Sequence, residues 1–360
     1  MSLKNRYLYT LILILGLLAG SLPAISSGTG EEDQKTHETE GKFDASTFIM
    51  EHVADSHEWH ILTKKDGSSL AIYLPVIIYD RESGLHLFSS RKLAHGHSHL
   101  GYAVAHDGEY AGKIVRVNAE GHFDGSRPPI DFSITKAIFG MIVASVILLW
   151  LMIAMAASYK KSGISAPRGL QGIFEPIIMF IRDDIAIPNI GDHKYSKFMP
   201  YLLTVFFFIL VNNLLGLIPF FPFGANVTGN INVTFVLAIC TFLITQISAN
   251  RTHWSHVFAA PGVPFWLLPI MIPIEIIGLF SKPFALMVRL FANITAGHII
   301  VLSLVSLIFI FKTVLVAPVS IFFVLFMYCI ELLVAFLQAY VFTLLSALFI
   351  GMATAEPEHH

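Results

Sequence analysis

The sequence predicts an all-α polytopic membrane protein with a small β-rich domain ahead of its spanning helices, and three observations lead there. Of 360 residues, 55% are hydrophobic and 13% charged, against about a quarter charged in soluble domains. The charge is unevenly placed, with residues 1–133 holding 12 of the 23 Lys and Arg and 17 of the 25 acids, which leaves the remainder nearly bare. From Ile134 onward the chain is a series of long apolar runs, enough for five membrane-crossing helices and an amphipathic surface helix.

The first segment carries Lys4 and Arg6, an apolar run from Leu8 to Leu18, and small residues at Ala24, Ser26 and Ser27. That is the layout of a signal peptide over residues 1–27, with an apolar core shorter than the roughly 20 residues a spanning helix needs. An uncleaved first helix is the alternative. Both readings put residues 28–133 outside the cytoplasm.

That outer domain opens with the polar stretch Thr29 to Glu40. Strand-like runs follow at Trp59 to Thr63, Leu70 to Tyr79, Leu85 to Ser89, Tyr102 to His106 and Lys113 to Val117, with hairpin-type turns at Asp66-Gly67 and Asp107-Gly108. His95, His97 and His99 alternate, so in a strand three imidazoles would share one face and could ligate a metal. Gly96 and Gly101 beside them fit a solvated loop better, and no cofactor is expected.

The membrane domain, residues 134–360, begins with Ile138 to Ala157, which stops at Lys160-Lys161; the positive-inside rule puts that end in the cytoplasm. Residues 164–197 mix apolar positions with Glu175, Arg182, Asp183, Asp184, Lys194 and Lys197, as an amphipathic segment on the cytoplasmic membrane surface would. Met199 to Ile218 crosses outward to the loop Pro219 to Asn232, and Val233 to Ser248 returns to Arg251, His253 and His256. Pro264 to Met352 is two apolar stretches broken at Lys312-Thr313. Each exceeds what a bilayer core of about 30 Å needs, so the pair forms a tilted hairpin. The amino end is then outside and the carboxyl end cytoplasmic. No internal repeat supports an inverted-repeat transporter. Cys240 and Cys329 lie in apolar runs and offer no redox motif, and a net charge of -2 gives nucleic acid no basic footprint.

A charge at mid-bilayer costs a few kcal/mol and persists mainly where it acts. The last two stretches contain Glu275, Lys282, Arg289, His298 and Glu331, with Asn293 and Gln338 as polar companions. Lys282 stands near a helix end, where snorkelling is an equal explanation. Arg289 lies too deep for that, 14 residues or about 21 Å beyond Glu275. Glu275, Lys282 and Arg289 are seven apart and share a stripe, whereas Arg289 and His298 are nine apart, about half a turn off. If the hairpin turns near Thr313 and Val314, Arg289 meets the level of Gln338 and His298 that of Glu331. An imidazole and a carboxylate at one depth can share a proton.

The stretches SKPFALMVRLFANITAGH, Ser281 to His298, and ELLVAFLQAYVF, Glu331 to Phe342, strongly resemble subunit a of the F-type ATP synthase. The likeness runs over roughly Ile134 to Ala353 and leaves the outer domain uncovered. It implies that Arg289 is the family's essential arginine, with Asn293 one turn later. His298 and Glu331 match two polar positions of the inlet half-channel, in the order opposite to that of some bacterial members. Gln338 matches the glutamine beside the arginine, Glu275 resembles the acid of the cytoplasmic half-channel, and Asn213, in NNLLGLIP, a polar residue of the second spanning helix. Met287 departs from the pattern, as do Gly216 and Asn230, where some relatives have Asp.

The resemblance further implies a proton-translocating stator subunit in the bacterial inner membrane, with a periplasmic N-terminal domain. Its partners would be a c-subunit ring, the b subunits of the peripheral stalk and the remaining synthase subunits. ATP chemistry would belong to those others. A stand-alone ion-coupled secondary transporter is the competing class. An intramembrane metalloenzyme is a third, weakened because the spanning helices contain no HExxH spacing.

Overall fold

The computed structural model describes residues 45–63, 69–105, 110, 112–118, 122–162, 169–218, 221–259, 264–311 and 316–355. The signal segment over 1–27, the stretch Thr29 to Glu40, both Asp-Gly turns and Lys312-Thr313 lie outside the described residues.

The N-terminal region starts with a helix the sequence pattern did not announce, α1 (Ala45–Val53), which packs against the long helix Leu268–Phe311. Strands β1 (Glu58–Thr63) and β2 (Ser69–Tyr73) pair antiparallel. A three-stranded sheet has the order β4-β3-β7, from β3 (Pro75–Asp80), β4 (Gly84–Ser89) and β7 (Ile130–Asp131), and β5 (Tyr102–Val104) pairs with β6 (Ile114–Arg116). The run Leu70 to Tyr79, expected as one strand, is therefore two strands in different sheets. Leu74 breaks it by giving its N–H to the His57 carbonyl at 3.2 Å, and Pro75 takes the first place of the next strand, where a missing donor is tolerated. Along β3 the period of two holds: Val76 and Ile78 are wholly buried with Phe88, Leu93, Tyr102 and Ile114, while Pro75 and Tyr79 are exposed.

His95, His97 and His99 do not form a strand. Ala94–Gly96 is a 3-10 turn in which Gly96 takes φ 77°, a region L side chains rarely adopt. His99 packs edge-on against Phe88 at 5.2 Å and lies 3.1 Å from Lys92 Nζ, and His97 is exposed. Among the described residues no group of three His, Cys, Asp or Glu could hold a metal ion.

Asp80 ties the small sheets together. It accepts from the Tyr102 hydroxyl at 2.5 Å and the Glu82 N–H at 3.0 Å and pairs with Arg116 at 2.6 Å. The tyrosine hydrogen bond first, then the Glu82 N–H and the arginine, hold its carboxyl below the usual carboxylate range. A depressed folded value contributes stability that is present above the unfolded value of about 3.9 and lost as pH falls through the folded one. Asp80→Asn is therefore expected to speed amide exchange at Tyr102 and Ile114 near neutrality. The gap from the parent should close in acid; an equal gap at both pH values would remove Asp80 as the cause.

Among the described residues five helices are long and apolar enough to cross a membrane: α2 (Lys136–Ser162), α5 (Tyr195–Gly216), α6 (Ile231–Ser248), α8 (Leu268–Phe311) and α9 (Val316–Thr354). Helices α8 and α9, 44 and 39 residues long, measure about 66 and 58 Å. They exceed the bilayer core twofold, so both must be steeply slanted or run partly along the membrane plane. Helix α5 is the hub. Its Val205, Phe206 and Ile209 are wholly buried, and it packs against α2 and α9. The Tyr201 hydroxyl meets Thr241 Oγ1 of α6 at 2.6 Å, and Thr241 lies 3.4 Å from Ser346 Oγ of α9.

The segment expected to be amphipathic folds as α3 (Leu170–Phe180), a π-helical stretch over Ile181–Ala186 and α4 (Ile187–Ile190). Ile181, Ile185 and Ala186 are wholly buried, while Asp183 and Asp184 face outward. Another short helix, α7 (Arg251–Ala259), follows α6. Helix α4 lies so close to α9 that a Cβ on Gly351 would sit 1.8 Å from the Asn189 carbonyl oxygen. A backbone atom cannot swing aside. Gly351→Ala should thus cost about 1–3 kcal/mol or more through overpacking, read as a lower melting temperature of the detergent-solubilised protein. An unchanged melting point would mean that this contact is easily relaxed.

Candidate functional site

The polar residues of α8 and α9 fall on two different surfaces. On α9, Glu331, Ala335, Gln338, Ala339 and Phe342 are buried, the i, i+4, i+7, i+8, i+11 stripe of a helix face. That stripe turns towards α5, α6 and α8, and places Glu331 (9% exposed) and Gln338 (2% exposed) inside the protein. His298 of α8 joins them, with Nδ1 3.8 Å from Glu331 Oε1.

A separation of 3.8 Å is close enough for an ion pair and too long for a hydrogen bond. Glu331 Oε1 is buried without a hydrogen-bond partner among the described residues. Beside it opens a cavity of about 180 Å³ lined by Trp59, Lys136, Gly216 and Tyr328 together with His298 and Glu331, which has room for water. The helices approach closely because Gly297 has no side chain; a Cβ there would lie 2.6 Å from Glu331 Oε1. One turn deeper, Asn213 of α5 donates to the Ala335 carbonyl at 3.3 Å and accepts from Thr228 Oγ1 at 2.5 Å. Asn213 is thus fixed between the levels of Glu331 and Gln338.

Arg289, Asn293 and Glu275 are exposed on the outward side of α8, next to the buried Leu286 and Leu290. Among the described residues the Arg289 guanidinium has neither an ion pair nor a hydrogen bond, so Arg289 and Gln338 are not joined directly. A guanidinium carries five donors and stays charged at any physiological pH. On an apolar helix face such a group calls for a negative partner from another molecule.

Nearer the start of α8, Lys282 lies 5.9 Å over the Phe349 ring. His253 of α7 feels Lys282 and Glu275 together: burial first, then the lysine charge, pushes its imidazole below its ordinary range, and Glu275 opposes them. His253 appears in the sequence only as a residue of a cytoplasmic loop. Trp59, Lys136 and Tyr328 were likewise unmarked, because only the packing of distant segments brings them beside His298 and Glu331. One cue existed for Lys136, a charge at the mouth of the first spanning helix.

Residues 138–351 match the family model described as ATP synthase A chain. Residues 48–132 match a separate model described as a domain of unknown function, DUF8433. The chain is 54% identical over 235 residues to ATP synthase subunit a of Chloroherpeton thalassium, covering 64% of this chain and 69% of that protein. It is 55% identical over 237 residues to ATP synthase subunit a 2 of Chlorobaculum tepidum, covering 64% and 66%. With ATP synthase subunit a of Myxococcus xanthus the identity is 46% over 237 residues, covering 64% and 76%.

Proposed function

Because the chain belongs to the ATP synthase A chain family, a multi-pass component of the proton-translocating membrane sector, we propose that it carries protons along two offset half-channels separated by Arg289. The observation that carries this reading is the division of α8: His298 turns inward to Glu331 while Arg289 stands outward without a partner among the described residues.

In this mechanism a proton arrives from outside at Glu331 and His298. It then neutralises a carboxylate on a ring of c subunits that turns against the exposed face of α8 and α9. After almost a full rotation it leaves near Glu275. Arg289 attracts each ionised ring carboxylate and prevents direct proton transfer between the two paths. Asn293 and Gln338 flank the arginine's level, and Asn213 steadies α9 between the two depths. Each charge crossing the membrane yields about 2.3 kcal/mol per 100 mV, so several must cross for each ATP made elsewhere in the complex.

The same reading makes residues 1–27 a signal peptide, 28–133 a periplasmic domain and 134–360 the membrane domain of a bacterial inner-membrane protein with a cytoplasmic carboxyl end. The Arg182 to Asp184 face of the π-helical stretch then lies along the cytoplasmic surface. The b subunits of a peripheral stalk hold the whole still. No finding favours a stand-alone transporter. Glu331→Gln should cut ATP-driven proton pumping in inverted membrane vesicles at least tenfold, with ATP hydrolysis retained. Undiminished pumping would remove Glu331 from the path.

A further inference from the structure

Two cavities meet at Lys136, and the larger is walled in part by the N-terminal domain. The smaller, about 180 Å³, contains His298 and Glu331 and includes Trp59 in its lining. The larger, about 510 Å³, is lined by Asp55, His57 and Asp131 of the N-terminal domain and by Asn226 and Asn230 of the loop before α6. Lys136 lines both.

The domain is built into this wall. Asp55 accepts from the Ala137 N–H at 3.0 Å and from the Asn230 amide at 3.3 Å, and Ser56 accepts from the Lys136 N–H at 2.9 Å. Trp59, 6% exposed, meets Phe139 at 6.1 Å and Phe221 at 5.5 Å, with Lys136 Nζ 5.9 Å from its ring centre. His57 Nε2 lies 3.2 Å from Asp131 Oδ2. The two carboxyls are set apart in proton affinity. Asp55 is an exposed residue on the cavity's rim, and desolvation of its carboxyl, opposed by the Ala137 hydrogen bond, moves its proton affinity up. For Asp131, burial is outweighed by the hydrogen bonds from His57 and Ser133, which hold it below the ordinary range. Two acids of different affinity beside an imidazole can take up and hand on protons.

We propose that the N-terminal domain forms the outer end of the proton path, with Asp55, His57 and Asp131 collecting protons that pass Lys136 to reach His298 and Glu331. This rests on the reading of His298 and Glu331 as the uptake pair. Each transfer moves one proton between carboxylate, imidazole and water, and the next proton from the outer solution restores the donor. Lys136 positions the junction through its contacts with Ser56 and Trp59.

The test uses the assembled complex in membrane vesicles, with Cys329→Ser to remove the exposed native thiol; Cys240 is buried. Val53→Cys and Ile138→Cys line the larger cavity without belonging to the proposed relay. Leu87→Cys, on the exposed face of β4 at 70%, is the control. A membrane-impermeant methanethiosulfonate applied from the outer side should lower proton flux at least fivefold at 53 and 138, and leave it unchanged at 87. His57→Gln with Asp131→Asn should lower flux without any label. Complete labelling at 53 and 138 with full flux, and full flux in the double variant, would overturn the proposal. If Glu331→Gln still blocks flux in the same vesicles, only this inference falls. If that variant also conducts normally, the uptake pair is misassigned as well.

Discussion

Arg289→Ala should abolish proton-driven ATP synthesis while leaving the complex assembled. The argument turns on what the substitution does to folding. A guanidinium in the middle of an apolar helix costs roughly 2.5–3.5 kcal/mol on insertion scales, and Arg289 recovers none of it through an ion pair among the described residues. Replacing it with alanine makes insertion easier, so loss of synthesis cannot be laid to a failure to fold. Arg289→Lys should fail almost as completely, because an ammonium lacks the planar fork that grips a carboxylate. Measuring synthesis in energised vesicles, with assembly followed on native gels, decides the matter. Coupled synthesis at the parent rate in either variant would mean that the arginine serves some other purpose.

Gly297→Ala should have the second largest effect, acting through Glu331. A methyl there would come within 2.6 Å of Oε1 and 3.3 Å of both Cδ and Cγ, closer than the carboxylate can accept without moving. Glu331 is 9% exposed and lies in the seam between α8 and α9, so the displaced carboxylate must change its position relative to His298. An overpacking cost of about 1.4 kcal/mol corresponds to a tenfold loss of the productive arrangement. Pumping should fall by about that factor, and further for Gly297→Val. Glu331→Asp, shorter by one methylene, should restore part of the loss when combined with Gly297→Ala, a coupling expected only of residues in contact. Strictly additive effects would show that the two act separately.

Much of the membrane part was legible because helix geometry carries over from sequence to space. A fixed rise and 100° per residue put Arg289 and His298 on opposite sides of α8. The same arithmetic sets His298 level with Glu331 across the hairpin, and the two side chains lie 3.8 Å apart. Between Arg289 and Gln338, by contrast, there is no hydrogen bond among the described residues. Little of the N-terminal domain could be read so directly. Helix α1 is short and weakly patterned, and the break at Leu74 depends on His57, a partner 17 positions away. Trp59 looked like an ordinary strand residue, yet its ring packs into the core of the membrane part, a contact between distant segments that no local periodicity records. Asn230, which lies in the loop before α6, turns out to be bonded to the acid Asp55.

The far end of α9 has its own means of resisting load. The last carbonyls of a helix have no partners within it, and here they are taken by other segments. Asn250 donates its N–H to the Ala353 carbonyl at 2.9 Å and its side-chain amide to that of Thr354 at 2.8 Å, while Lys194 Nζ reaches the Thr354 carbonyl at 2.9 Å. Under the proposed function, a slanted rod nearly 60 Å long that takes a sideways push from a rotating partner would behave as a lever. Bolts from the starts of α5 and α7 fix its tip, so such a push would be passed into the packed core and leave Glu331 of the same helix in its place.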